Sequence, residues 1–219
     1  KVGIAIINVD QGMPNAITGI SSAFEACSSV VILVGREPDT WTEPEHQIDH
    51  DELTLVRGIT KWARTVHTPE RLGEYLDAAC RRALAGRPGP VVLAFPRDFL
   101  NQPVDPGAPL NTPVAPRPKP APLANDLTRC LDLMAAAKQP LVIAGTGAAR
   151  AGAGPALRRL TAMGIPVATN AMGRGLVPED DAVGWSWPLA QTGAKHADLV
   201  IWLGARLGKR FGYGLAPRF

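Results

Sequence analysis

Two features of this sequence have residue types and spacing that could do chemistry: a histidine–carboxylate cluster and a glycine-rich turn. His46-Gln47-Ile48-Asp49-His50-Asp51 sets two imidazoles four residues apart with carboxylates between them, so one helix face could offer them to a metal ion. The flank Glu43-Pro44-Glu45 reads as loop and no third ligand accompanies the pair, so a solvated loop accounts for the cluster equally well and no metal site is assigned. Gly145-Thr146-Gly147 follows an apolar run and precedes a helical pattern. Without side chains there, an anionic ligand could approach the helix N-terminus. The same turn could merely close a βα unit. Arg150 stands where a dinucleotide fingerprint needs its third glycine, and no acidic residue closes the next strand, which disfavours a nicotinamide dinucleotide. Cys27, Cys80 and Cys130 are odd in number and far apart, which argues against a disulfide framework or zinc site and leaves core packing as the expectation. His67 and His196 are expected on the surface. The chain has no G-x-S-x-G elbow, P-loop or HExxH.

The elements that must position these groups alternate between strand and helix. Apolar runs at Val2–Ile7, Val30–Val34 and Val91–Phe95 predict parallel strands buried on both faces. A helix is predicted over Pro69–Ala85. Thr68 is its expected N-cap, Leu72, Tyr75, Leu76, Ala79, Cys80, Ala83 and Leu84 form its apolar stripe, and Gly86 ends it. Another helix runs to Cys27, with Asn15 as its expected opening residue. Further on, helix Leu127–Ala137, strand Leu141–Ala144, helix Pro155–Met163 and strands Ile165–Ala168 and Leu199–Leu203 repeat the alternation. Eight prolines between Pro103 and Pro122 cannot build helix or central strand and read as an extended linker. The expected fold is α/β, with two doubly wound parallel-sheet domains at residues 1–102 and 123–219 joined by the linker 103–122.

Apolar side chains make up 46% of the 219 residues, enough for one large or two ordinary domains, and the net charge is only +3 with no like-charge run. Nucleic acid is therefore not an expected partner. No stretch nears the ~18 apolar residues of a membrane helix, and no signal core follows the N-terminus, so no membrane is expected and a cytoplasmic location is. Lys1 leads straight into a strand, and Phe219 follows closely on another, so both ends read as cut.

Asn15-Ala16-Ile17-Thr18-Gly19 through Ala26 resembles the G-P-G-x-T-N-x-x-T-G-x-x-x-A stretch of the pyrimidine-binding domain in acetolactate synthase-like, thiamine diphosphate-dependent enzymes. Ile59-Thr60-Lys61-Trp62-Ala63, Thr68-Pro69-Glu70-Arg71-Leu72 and Gly86-Arg87-Pro88-Gly89-Pro90-Val91 look like three further landmarks in family order. Lys138-Gln139-Pro140, Gly164-Ile165-Pro166-Val167, Gly173-Arg174-Gly175 and Leu203-Gly204-Ala205-Arg206-Leu207 are similar to the family's central domain. The resemblance covers nearly the whole chain. It implies a partial, flavodoxin-like pyrimidine-binding domain, the linker and a Rossmann-like central domain incomplete at its C-terminus.

By the same resemblance, Asn15 matches the asparagine beside the cofactor's pyrimidine, and Gln47 most nearly matches a pocket-lining glutamine, one residue off register. An amide suits an aminopyrimidine because it both donates and accepts. Gln11 replaces the proline of Gly-Pro-Gly in Asp10-Gln11-Gly12, a departure that alters the pocket wall. Gly145, Gly147 and Arg206 would be the contacts if the central domain holds FAD or the ADP part of coenzyme A. Carried over, the family's activating glutamate, which helps form the C2 ylid of thiamine diphosphate, falls upstream of Lys1, so no catalytic residue is assigned here. Its Mg2+ site falls beyond Phe219. The implied parent is a homodimer or homotetramer that acts on a 2-oxo acid as carboligase or lyase, and this chain alone is expected to be inactive. Alternatives are a 2-hydroxyacyl- or oxalyl-coenzyme A lyase or decarboxylase acting on an acyl-coenzyme A, and a non-catalytic nucleotide-binding or structural module.

Overall fold

Val-, Ile- and Leu-rich runs separated by amphipathic helices pair as parallel strands when helices can cover both faces. In the computed structural model, which describes residues 1–9, 11–41, 51–105, 107, 120–180 and 182–216, they do so twice. The chain divides into two compact units, Lys1–Lys119 and Pro120–Phe219.

In the first unit β1 (Gly3–Ile7), α1 (Gly12–Glu25), β2 (Val30–Arg36), α2 (Glu52–Val56), β3 (Trp62–Thr65), α3 (Leu72–Leu84) and β4 (Val91–Pro96) build an all-parallel sheet in the order β1-β2-β4-β3. Met13 and Ile20 of α1 and Val56 of α2 pack with Ile32, Val34, Ala63, Val92 and Ala94 on one face. On the other, Ala79 and Ala83 of α3 pack with Val31, Val91, Leu93 and Phe95.

Three expectations need correction here. β1 is not buried on both faces: Ala5 and Ile7 pack under α1, but Ile4 and Ile6 are 70% and 82% exposed, because α3 lies over β2, β4 and β3 and does not reach the edge strand. Beside Ile6, between the sheet and α3, runs an apolar crevice of about 300 Å³ lined by Leu33, Leu72, Leu76, Phe95 and Phe99. The helix expected from Pro69 opens as a 3-10 turn over Pro69–Arg71, and the Thr68 side chain makes no capping bond; the predicted stripe does face the core, and Gly86 ends the helix at φ +53°. The cysteines are only partly buried. Cys80 packs beside the α3 core, the Cys27 Sγ accepts from Arg87 Nε at 3.0 Å, and none of the three cysteines forms a disulfide.

The second unit contains α4 (Ala124–Ala136), β5 (Pro140–Ala144), α5 (Thr146–Arg150), α6 (Gly154–Ala162), β6 (Val167–Thr169), β7 (Gly184–Trp185), α7 (Trp187–His196) and β8 (Leu199–Leu203). Its sheet is again parallel, in the order β7-β6-β5-β8. Ala148 and Leu157 of α5 and α6 cover one face over Val142, Ala144 and Val167. Ala190 and Ala194 of α7 cover the other with Leu141, Ile143 and Phe211, and Phe211 sits edge-on to Trp187 and Trp202 at 4.0 and 4.6 Å between ring centroids. The Asp198 carboxylate, just before β8, accepts the backbone N–H groups of Lys138 and Gln139 at 2.7 and 2.9 Å, tying the starts of β5 and β8 together. α4 buries none of its residues; Asp126, Arg129, Cys130 and Leu133 edge a crevice against β8.

Candidate functional site

In open parallel sheets ligands gather at the carboxyl ends of the strands, where loops diverge to opposite faces. β1 of the first unit ends there in the loop that leads to α1. Val9 in this loop packs against Gly35 near the end of β2, where a Cβ would stand 3.5 Å from it. α1 then begins at Gly12 with Gln11 as its N-cap residue, and no side chain caps it and no acid occupies its first turn. Asn15 therefore does not open the helix, as capping preference suggested. It lies one turn in, above Gln11, and both amides are exposed. Gln47, with His46 and His50, lies outside the described residues, as does Asp10.

The same edge carries a polar cluster that no contiguous motif announced. Arg36 ends β2 and Thr65 ends β3. Their side chains share the α1 face, because Val34 and Ala63, two residues earlier in each strand, belong to that core. Arg36 Nη1 donates to Thr65 Oγ1 at 3.4 Å and stands 3.8 Å from Asp39 Oδ1. The other oxygen of Asp39 lies 2.7 Å from His67 Nδ1. His67 is on the surface, as expected, but it is held by a carboxylate. These residues come from two segments far apart in sequence, 36–39 and 65–67, which is why spacing alone did not find them.

At the carboxyl edge of the second sheet the glycines are explained by backbone contact. A Cβ on Gly145 would fall 2.6 Å from Ala205 Cα, one on Gly147 2.7 Å from Gly204 Cα, and one on Gly173 2.7 Å from the Ala144 carbonyl oxygen. Gly145 N–H donates to Leu203 O and Gly147 N–H to Gly204 O, at 3.0 and 2.8 Å. The turn is thus a seam between β5 and β8, and those two amides are already engaged. Arg206 is exposed three residues beyond β8. At the end of β6, Glu179 accepts Nε and Nη2 of Arg174, both at 3.0 Å, and the hydroxyl of Thr169 at 3.2 Å. The guanidinium holds the Glu179 carboxyl below its ordinary range. Among the described residues no three His, Cys, Asp or Glu groups converge as metal ligands, and no helix is long and apolar enough to cross a membrane.

The profile of the family described as "Thiamine pyrophosphate enzyme, central domain" matches residues 127–219, nearly all of the second unit. Over 96% of its length the chain is 31% identical to the probable acetolactate synthase large subunit of Methanocaldococcus jannaschii and 32% identical to the acetolactate synthase large subunit of Parasynechococcus marenigrum. It is 26% identical, again over 96% of its length, to the mitochondrial acetolactate synthase catalytic subunit of Saccharomyces cerevisiae. The second unit thus carries the central domain of thiamine pyrophosphate enzymes, and the chain as a whole is similar to acetolactate synthase large subunits. The chain spans 37%, 36% and 33% of the length of these three relatives. The profile match and the parallel sheet β7-β6-β5-β8 together agree with the Rossmann-like form of that central domain.

Proposed function

We propose that the protein is a thiamine diphosphate-dependent carboligase or lyase acting on 2-oxo acids, in which the first unit lines the cofactor's pyrimidine and the second supports it. The observation that carries this reading is collinear similarity to acetolactate synthases across 96% of the chain, both units included. The residues present fit the pyrimidine. Asn15 and Gln11 offer two exposed amides one helical turn apart at the carboxyl edge of the first sheet, and an amide serves both the donor and the acceptor positions of an aminopyrimidine. When bound, thiamine diphosphate supplies the carbanion chemistry; these side chains bind and orient it. Mg2+ enters the same proposal as the metal that accompanies the cofactor.

In the second unit, FAD or a coenzyme A nucleotide would lie against the seam that Gly145 and Gly147 form with β8, without hydrogen bonds from their N–H groups, since both are engaged with β8. Arg206 would meet its phosphates. Assembly as a homodimer or homotetramer in the cytoplasm belongs to the same proposal.

The test is to express the full reading frame and follow pyruvate with thiamine diphosphate and Mg2+, identifying the product. Acetolactate or another carboligation product supports the proposal. Cleavage of an acyl-coenzyme A without pyruvate turnover would move the protein to the coenzyme A lyases. No turnover and no cofactor binding would leave a non-catalytic module.

A further inference from the structure

We propose that Arg36 is a carboxylate-binding residue at the carboxyl edge of the first sheet, gripping a small anion such as a 2-oxo acid with its Nε and Nη2 groups. Asp39 and His67 act as positioning residues. The inference rests on the reading that this edge faces cofactor and substrate, and it names the group that would hold the substrate's charge.

The Arg36 side chain is only 20% exposed, yet a guanidinium stays charged and carries five N–H donors that burial obliges to find acceptors. Its known partners, Thr65 Oγ1 and Asp39 Oδ1, both face Nη1, and neither is close. Asp39 cannot fork onto the guanidinium, because its second oxygen is held by His67 Nδ1. Glu37, the next residue, does not bond to Arg36 either; its own Oε2 is buried without a partner among the described residues. The Nε–Nη2 edge of Arg36 therefore has no acceptor among the described residues, and neither nitrogen is among the fully buried atoms lacking one.

The same chain shows what that edge does when a carboxylate is within reach. Arg71 holds Glu74 through Nε and Nη2 at 2.8 Å each, and Arg174 holds Glu179 in the same way at 3.0 Å each. Both pairs have the fork geometry that favours carboxylates. Arg36 ends β2 at the carboxyl edge of the sheet, the edge at which β1 leads toward Gln11 and Asn15, so an anion bound by Arg36 would share that edge with them.

The experiment is a titration of the 219-residue chain with pyruvate, its uncharged amide and inorganic phosphate, following the Arg36 Nε–H resonance by NMR. The resonance is assigned by its loss in Arg36→Lys. Pyruvate is expected to shift it saturably in the millimolar range, and the amide to leave it unmoved. Arg36→Lys, which keeps the charge and loses the fork, should weaken pyruvate binding by about tenfold, read on neighbouring backbone amides. His67→Phe, on an exposed side chain, should also weaken binding because Asp39 is then free to fork onto Arg36. The proposal is overturned if pyruvate gives no saturable shift, if Arg36→Lys binds as well as the parent, or if phosphate displaces pyruvate as the tighter ligand. Turnover of the full-length protein is measured separately, so loss of the thiamine diphosphate reading with retained pyruvate binding would be recognised as such.

Discussion

Gly204 is the position where packing makes the sharpest quantitative demand. It sits at φ +59°, and a Cβ there would meet Ala148 N at 2.4 Å and Gly147 Cα at 2.5 Å, both backbone atoms that no side-chain rotation can move. Gly204→Ala thus incurs two costs: about 1–2 kcal/mol for an L-residue in the left-handed region and about 1–3 kcal/mol for forcing apart a packed seam. Gly164 is the control. Its φ is +81°, but nothing lies within 4 Å of a Cβ, so Gly164→Ala incurs only the conformational cost, partly offset by a stiffer unfolded chain. The expected difference between the two variants is about 2 kcal/mol, which for a unit of this size corresponds to a Tm gap of roughly 8–16 °C. Thermal unfolding of the full chain followed by tryptophan fluorescence reads it directly, because Trp185, Trp187 and Trp202 all pack in the second unit's core. Equal Tm values for the two variants would refute the claim that Gly145, Gly147 and Gly204 are required by backbone contact between β5 and β8.

Two further outcomes follow from local chemistry. Asp51 caps α2 by accepting from Thr54 N at 3.1 Å and from the Thr54 hydroxyl, and these bonds hold its carboxyl below the ordinary value. Asp51→Ala should lower stability by about 1 kcal/mol in urea unfolding. The Glu179 carboxyl is likewise lowered, chiefly by Arg174, so its pairing contributes stability above its ordinary value of 4.5 and loses it as pH falls through the depressed folded value. The stability advantage of the parent over Glu179→Gln should therefore be full at pH 7 and vanish in strong acid; an advantage that persists unchanged would contradict the assignment.

Where the fold was legible in advance, hydrophobic pattern and turn chemistry agreed: β2, β4, β5 and β8 are continuous apolar runs, and the α3 stripe faces the core it predicts. β3 was not foreseen because Trp62-Ala63-Arg64-Thr65 is short and carries an exposed arginine on an edge strand. β7 has two residues, too few for any periodicity, and α7 has Gly193 in its middle, where the Trp185 ring leaves no room for a Cβ. Of the site, Asn15 and Gln11 could be proposed because they sit within a recognisable stretch. The Arg36–Thr65–Asp39–His67 cluster could not, because parallel pairing through β4 brings together residues up to 31 positions apart.

The most direct test of the central claim is calorimetric titration of the full-length protein with thiamine diphosphate and Mg2+, comparing the parent with Asn15→Ala. If Asn15 lines the pyrimidine, the variant should bind about tenfold more weakly at unchanged Tm, a loss of about 1.4 kcal/mol. Identical affinities would contradict the placement of the cofactor's pyrimidine against the first turn of α1.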